Sequence, residues 1–199
     1  MRSCKLLLLA MLSTTVLLGS VVGSAGARNI SSNSQTFRTV FRELRFEGVF
    51  GNIVCKVTLE GSMHARTITK SAGSLIGYIT RADLGPCQEG RATILRESLP
   101  WHVRYASFTG TLPTITGIRQ TVTGFSYRIQ EPIQGCLLNS SAVSPVTLQY
   151  LRNTATGVLT GVTTGGSIMT TCGITGGFSS DLGIHTVLNA ITAILLTLI

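Results

Sequence analysis

The chain has 199 residues, with 16 Lys or Arg against 8 Asp or Glu, so its formal net charge is +8. Only 12% of the residues are charged and 22 are glycine, a composition that disfavours long amphipathic helices. The basic residues are spread along the chain and match no nucleic-acid-binding motif, which argues against a specific nucleic-acid partner.

The first 27 residues have the three parts of a secretory signal peptide. Arg2 and Lys5 precede an apolar run over residues 6–18, and Ala25 and Ala27 form an A-x-A cleavage pattern. The apolar run is too short to favour a membrane span. We therefore predict a secreted mature chain without a transmembrane span, carrying 12 arginines and two lysines against eight acidic residues, a formal charge of +6.

The mature chain begins with a polar stretch, "NISSNSQT". This composition favours a flexible leader over residues 28–36. The remainder, residues 37–199, is long enough for one domain with a sizeable core. No internal repeat or linker divides it, so we expect a single β domain there.

Apolar and polar residues alternate with a period of two through most of this domain, as half-buried strands require. In "NIVCKVTLE" one face carries Ile53, Cys55, Val57 and Leu59, and the other carries Lys56, Thr58 and Glu60. Further strands are predicted over residues 74–82, 91–97, 116–130, 146–152 and 190–199. Turn signals separate these segments. The pattern predicts an all-β fold, a single antiparallel β-barrel or β-sandwich of roughly 8–11 strands.

Four cysteines follow the predicted cleavage site: Cys55, Cys87, Cys136 and Cys172. An even number in an exported chain predicts two disulfides, and three pairings are open. We favour Cys55 with Cys87 and Cys136 with Cys172. No spacing resembles a zinc site, so we expect no metal, and no motif calls for another cofactor.

The stretch "LPWHVRYASF", Leu99–Phe108, contains the single tryptophan of the chain. A strand here places Trp101, Val103 and Tyr105 on one face, and His102, Arg104, Ala106 and Phe108 on the other. The simpler interpretation puts Trp101 in the core. The alternative is a binding site, and its candidate ligand-binding residues are Trp101, His102, Arg104 and Tyr105.

The last sixteen residues, 184–199, carry almost no charge. A lipid-anchor signal fits poorly, because the would-be polar spacer is apolar and the final apolar run is short. We expect instead a final strand that is either buried on both faces or covered along its edge, since an exposed strand of this composition would aggregate.

Three blocks of the sequence, "CKVTLEGS", "LIGYITRA" and "LPWHVRYASFTGTLP", resemble segments of small secreted β-rich bacterial proteins of unknown function. The resemblance covers about a third of the mature chain. It implies export and a β fold, and it brings no activity, cofactor or catalytic residue.

Motifs of hydrolases, metalloproteases and nucleotide-binding enzymes are absent from the sequence. Our leading hypothesis is therefore a secreted, non-enzymatic β domain that is structural or binds a ligand, either a hydrophobic small molecule or an anionic polymer of the cell envelope. The alternative is a secreted hydrolase whose site is assembled in space from His64, His102 or His185 and a nearby carboxylate.

Overall fold

The computed structural model describes residues 29–48, 51–111, 114–130, 135–153, 155, 158–165, 167–170, 176–180, 184–187 and 194–198. The predicted signal peptide lies outside the described residues. Within them the chain forms strands, one 3-10 turn at Arg96–Ser98 and no α-helix. The all-β prediction is confirmed. No helix in the described part of the chain is both long and apolar enough to cross a membrane.

The described residues contain sixteen strands, more than the 8–11 expected. Their bounds are β1 (Asn29–Ser32), β2 (Thr36–Gly48), β3 (Gly51–Met63), β4 (Thr67–Thr69), β5 (Leu75–Gln88), β6 (Arg91–Ile94), β7 (Trp101–Thr111), β8 (Thr114–Thr123), β9 (Ser126–Gln130), β10 (Gly135–Asn139), β11 (Val146–Arg152), β12 (Val158–Gly165), β13 (Ser167–Thr170), β14 (Gly176–Ser180), β15 (Ile184–Val187) and β16 (Ile194–Leu198).

The sequence predicts too few strands because few residues mark the points at which the backbone leaves the extended conformation. Residues 116–130 were predicted as one strand, but Gly124 has a φ of +86° and separates β8 from β9. A positive φ is readily adopted by glycine and ends the extended chain there. Strands as short as β4 are also too brief to show a period of two.

All strand pairs are antiparallel, and the main sheet follows the order β12–β11–β8–β7–β5–β3–β2–β14, with β15 beside the first half of β2. This sheet curls into a half-barrel, and its end strands β12 and β14 approach each other. Two smaller sheets continue from it, β4–β1–β16 and β13–β10–β9–β6. The fold is therefore a half-barrel with two smaller sheets, and neither a single closed barrel nor a two-sheet sandwich describes it fully.

The start of the described chain differs from the expected flexible leader. Residues Asn29–Ser32 form β1, which pairs with β16 on one side and β4 on the other. Ile30 is fully buried in this strand. The buried isoleucine and the backbone hydrogen bonds along both edges hold this strand in place. Its polar composition does not prevent this, because backbone pairing does not depend on side-chain polarity. The same arrangement confirms that the last strand is covered, since β16 pairs with both β1 and β12.

A disulfide joins Cys55 and Cys87, which lie opposite each other on β3 and β5. This confirms one predicted pair. Closing a loop of this length stabilises a fold by roughly 3 kcal/mol in the chain-entropy model. It is the one disulfide seen between described residues. Cys136 is also disulfide-bonded, but its expected partner Cys172 lies outside the described residues, so that pairing stays a prediction.

The concave side of the half-barrel is filled by aromatic side chains. Trp101 of β7 packs on Phe125 with ring centroids 4.9 Å apart, and Phe125 packs on Tyr127 of β9 at 4.2 Å. Tyr127 in turn contacts Phe46 of β2 at 5.2 Å. All four side chains are buried. The sheet containing β9 therefore packs against the inside of the half-barrel through its aromatic residues.

Two buried tyrosines on this concave side differ in whether their hydroxyl groups have a hydrogen-bond partner. The Tyr150 hydroxyl is hydrogen-bonded to the side chain of Thr39, whereas the Tyr127 hydroxyl has no partner among the described residues. Burial raises the pKa of both hydroxyls, and for Tyr150 the bond to Thr39 acts in the opposite direction. Both hydroxyls are therefore protonated at neutral pH.

We expect Tyr127→Phe to leave the free energy of unfolding unchanged or to raise it by about 1 kcal/mol, because it removes a buried polar group that lacks a partner. Tyr150→Phe is the matched control and should lower it by about 1 kcal/mol, since Thr39 then loses its bond. Urea denaturation of the two variants measures the difference. A loss on Tyr127→Phe equal to that of Tyr150→Phe would show that the Tyr127 hydroxyl is satisfied.

Candidate functional site on the outer face

The structure separates the four residues of the predicted ligand site. Trp101 and Tyr105 are buried on the concave side of β7, with 0% and 3% of their surface exposed. His102 is exposed on the opposite, outer face, and Arg104 is half-buried there. The core interpretation of Trp101 is therefore confirmed, and the four side chains do not line one site.

The outer face of β7 also carries fewer of the predicted residues than alternation along the whole strand would place there. A β-bulge between Tyr105 and Ser107 shifts the register against β8. One extra residue reverses the alternation, so that Phe108 pairs opposite the buried Ile118 and packs against the core. Phe108 thus does not share a face with His102, contrary to the expectation.

One space in the described core has a volume of about 10 Å³ and is lined by apolar side chains and Tyr127. This is about the volume needed by one water molecule. A carrier of small molecules encloses a cavity of about 300 Å³ or more, so this particular space does not suit the hydrophobic small molecule that the sequence left open. A larger groove lies on the outer face of the sheet.

The outer face of β3 carries the polar residues that alternation predicted. Lys56 is exposed, and Thr58 and Glu60 are half-buried, while Cys55 and Val57 between them face the core. Residues of the two neighbouring strands, β2 and β5, complete a groove of about 430 Å³. Its lining residues are Arg38, Lys56, Thr58, Glu60, Arg81, Asp83, Leu84, Gly85 and Pro86.

Three arginines and two carboxylates form a continuous ladder of ion pairs, which crosses this groove and ends at Arg96 beside it. The Glu60 carboxylate lies between Arg38 (Nε to Oε1, 3.5 Å) and Arg81 (Nη1 to Oε2, 3.4 Å). The Nε of Arg81 also donates to the Asp83 carboxylate at 2.8 Å, and Arg96 Nη2 approaches the same carboxylate at 3.4 Å. The strand register explains the first two pairs, because Arg38 and Arg81 lie directly opposite Glu60.

Positive charge exceeds negative charge in this ladder. Lys56 lines the groove and has no ion-pair partner among the described residues, so three cationic side chains line the groove with two carboxylates, and Arg96 adds a fourth positive charge beside it. The carboxylates are the less exposed members, with 14% of the Glu60 side chain and 33% of the Asp83 side chain accessible. Pairs this exposed add little to stability, about 1 kcal/mol each at most. In this structure they place the arginine guanidinium groups next to the two carboxylates along the outer face.

A row of three aromatic rings continues the same face past the end of the groove. Tyr78 of β5 lies between His64, at a centroid distance of 5.0 Å, and His102 of β7, at 5.2 Å. The rings are inclined by 49° and 67°. Both histidines are exposed and Tyr78 is half-buried. We call these three residues the ring row.

Two glycines let the strands beneath the ring row approach closely. A Cβ on Gly77 would collide with the carbonyl oxygen of Ser62 and lie 2.8 Å from the Met63 Cα. A Cβ on Gly61 would collide with the carbonyl oxygen of Tyr78 and lie 2.7 Å from the Phe37 ring. Neither glycine can be replaced without moving backbone. The glycines therefore set the spacing of β3 and β5 at the point where Tyr78 meets its neighbours.

Two features that would favour a hydrolase or a metal centre are not found in the described part of the chain. No histidine in the described ranges forms an ion pair with a carboxylate. No group of three or more His, Cys, Asp or Glu side chains in them could hold a metal ion. The side chain of His185, which the sequence left open for catalysis, lies outside the described residues.

Sequence reasoning missed both the ion-pair ladder and Tyr78. The polar alternation of β3 marked Lys56 and Glu60 as outward-facing, but it could not show that Arg38 and Arg81 are their neighbours. The available signal was Arg81 on the strand predicted over residues 74–82, because opposite charges pair across antiparallel strands. Arg38 lies on no predicted strand.

No protein-family model, curated protein or solved structure matches this chain. The resemblance to small secreted bacterial proteins therefore stays a prediction.

Proposed function

We propose that this protein is an exported, non-enzymatic β domain that binds an anionic polymer of the cell envelope through the outer face of β2, β3 and β5. The observation that carries the proposal is the groove in which Arg38, Lys56 and Arg81 outnumber two carboxylates, with Arg96 paired to Asp83 beside it. Export rests on the N-terminal pattern of the sequence, on the Cys55–Cys87 disulfide and on a second disulfide, Cys136 to Cys172, that we propose with it.

The groove suits a polymer better than a small anion. It is open, it extends over three strands, and its cations are distributed along it rather than gathered around one point. The arginines use some of their N–H groups on Glu60 and Asp83, which leaves other guanidinium N–H groups for a ligand. A chain with repeated anionic groups can engage several of these cations at once.

We expect fluorescently labelled polygalacturonate to bind the protein in low salt, and neutral dextran of the same length not to bind. Arg81→Gln and Lys56→Gln should each weaken binding roughly fivefold, since one cation near an anionic surface contributes about 1 kcal/mol. Raising the salt concentration should weaken binding further, because exposed charges are screened. Fluorescence anisotropy measures all three effects.

Arg128→Gln is the matched control, because it removes the same charge from an exposed site on β9, in the smaller sheet. It should change the affinity by less than about twofold. If Arg128→Gln and Arg81→Gln weaken binding equally, the interaction depends on overall charge and not on the groove. If polygalacturonate does not bind at all, the proposal is wrong.

A further inference from the structure

We infer that the polymer is an acidic polysaccharide, whose sugar rings pack on the ring row while its acidic groups meet the cations of the groove. This inference rests on the proposed function and names its ligand class. It is carried by one juxtaposition: Tyr78 lies on β5 with Arg81 and on the same outer face, and its ring partners His64, just after β3, and His102, on β7, flank it there.

The two parts of this face are within reach of a single ligand. Tyr78 and Arg81 are three residues apart on β5, which corresponds to roughly 10 Å along a strand. Ser62, the residue opposite Tyr78, and Glu60, the residue opposite Arg81, are likewise close on β3. An extended polymer lying along these strands would touch the ring row and the ladder at once.

The chemistry of the groove favours a ligand with many hydroxyl groups and widely spaced charges. Glu60 and Asp83 are hydrogen-bond acceptors, which suit sugar hydroxyls, whereas the arginines and Lys56 are donors. The apolar faces of sugar rings pack on aromatic side chains, and the half-buried Tyr78 offers such a surface beside the groove. Acceptors, donors and an aromatic surface together match a saccharide.

A nucleic acid is the main competing ligand, because single strands also combine stacking with cationic contacts. Two features of the face argue against it. The two carboxylates lie between the arginines, where closely spaced phosphates would be repelled. The rings of the row contact one another at about 5 Å, so no gap separates them in which a base could be inserted.

The test compares polygalacturonate with poly-L-glutamate of matched length, which has carboxylates but no sugar rings. We expect wild-type protein to bind polygalacturonate more tightly. Tyr78→Ala should weaken its binding about fivefold and leave binding of poly-L-glutamate unchanged, whereas Arg81→Gln should weaken both. His102→Ala should show the same selectivity as Tyr78→Ala with a smaller loss. Circular dichroism of each variant confirms that it is folded.

Three results would overturn the inference. If both polymers bind equally and Tyr78→Ala affects neither, the groove binds polyanions without regard to sugar rings, and the proposed function stands alone. If single-stranded oligothymidylate binds more tightly than polygalacturonate, the ligand is a nucleic acid. If neither polyanion binds, the proposed function itself is wrong.

Discussion

Trp101→Ala should lower the free energy of unfolding by about 3–5 kcal/mol, the usual cost of emptying a large aromatic site in a core. The side chain has no exposed surface and contacts both Phe125 and Tyr127. Its indole N–H donates to the Ser98 hydroxyl at 2.8 Å, and that hydroxyl donates to the Leu95 carbonyl at 2.6 Å. The substitution thus removes packing between two sheets together with a satisfied polar contact.

Trp101 is the only tryptophan in the chain, so its fluorescence reports this site alone. We expect blue-shifted emission from the folded protein and a red shift on denaturation. His102→Ala, on the exposed face of the same strand, serves as the control and should cost roughly 0.5 kcal/mol or less. Emission typical of an exposed indole, with stability retained in Trp101→Ala, would contradict the buried position.

Gly77→Ala should lower the free energy of unfolding by about 3 kcal/mol, at the upper end of the cost of overpacking. The added methyl group would meet the backbone of Ser62 and Met63, which cannot rotate away as a side chain can. Gly61→Ala should have a similar effect for the same reason, because its Cβ would meet the backbone of Tyr78 and Ile79. Urea denaturation measures both losses.

Gly135→Ala is the matched control for these two variants, because it also lies in a strand. Its nearest neighbour, the Ile129 carbonyl oxygen, would be 3.8 Å from the new Cβ, an ordinary contact. We expect a change within about 0.5 kcal/mol, and a small gain is consistent with the lower entropy of the unfolded alanine chain. Equal stability of Gly77→Ala and Gly135→Ala would show that β3 and β5 are not closely apposed beneath the ring row.

Arg104 makes a contact that its position on the outer face does not predict. Alternation places Arg104 on the outer face, where a substitution is usually neutral. The structure keeps it on that face but shows its Nη1 donating to the Gly73 carbonyl at 2.9 Å. It therefore links β7 to the segment before β5, a role that no local pattern of residues announces.

The sequence by itself determined the class of the fold and the direction of most side chains. Period-two alternation in β3 and β7 correctly placed Cys55 and Trp101 in the core and Lys56 and His102 outside, because successive side chains of a strand point to opposite faces. Spacing along the chain favoured Cys55 with Cys87 among the possible pairings, and the structure confirms that pair. These features depend on local chain geometry and on spacing along the chain.

Only the tertiary structure decided which strands are neighbours, and the candidate site depends on that choice. Arg38 and Arg81 meet at Glu60 because β2 and β5 flank β3, and Tyr78 meets His64 and His102 because β5 lies between β3 and β7. The bulges that reverse Phe108 and that accompany the close approach at Gly61 are likewise set by pairing between strands. Contacts between residues far apart in sequence arise from the register of the whole sheet, and alternation within one strand carries no information about its partner.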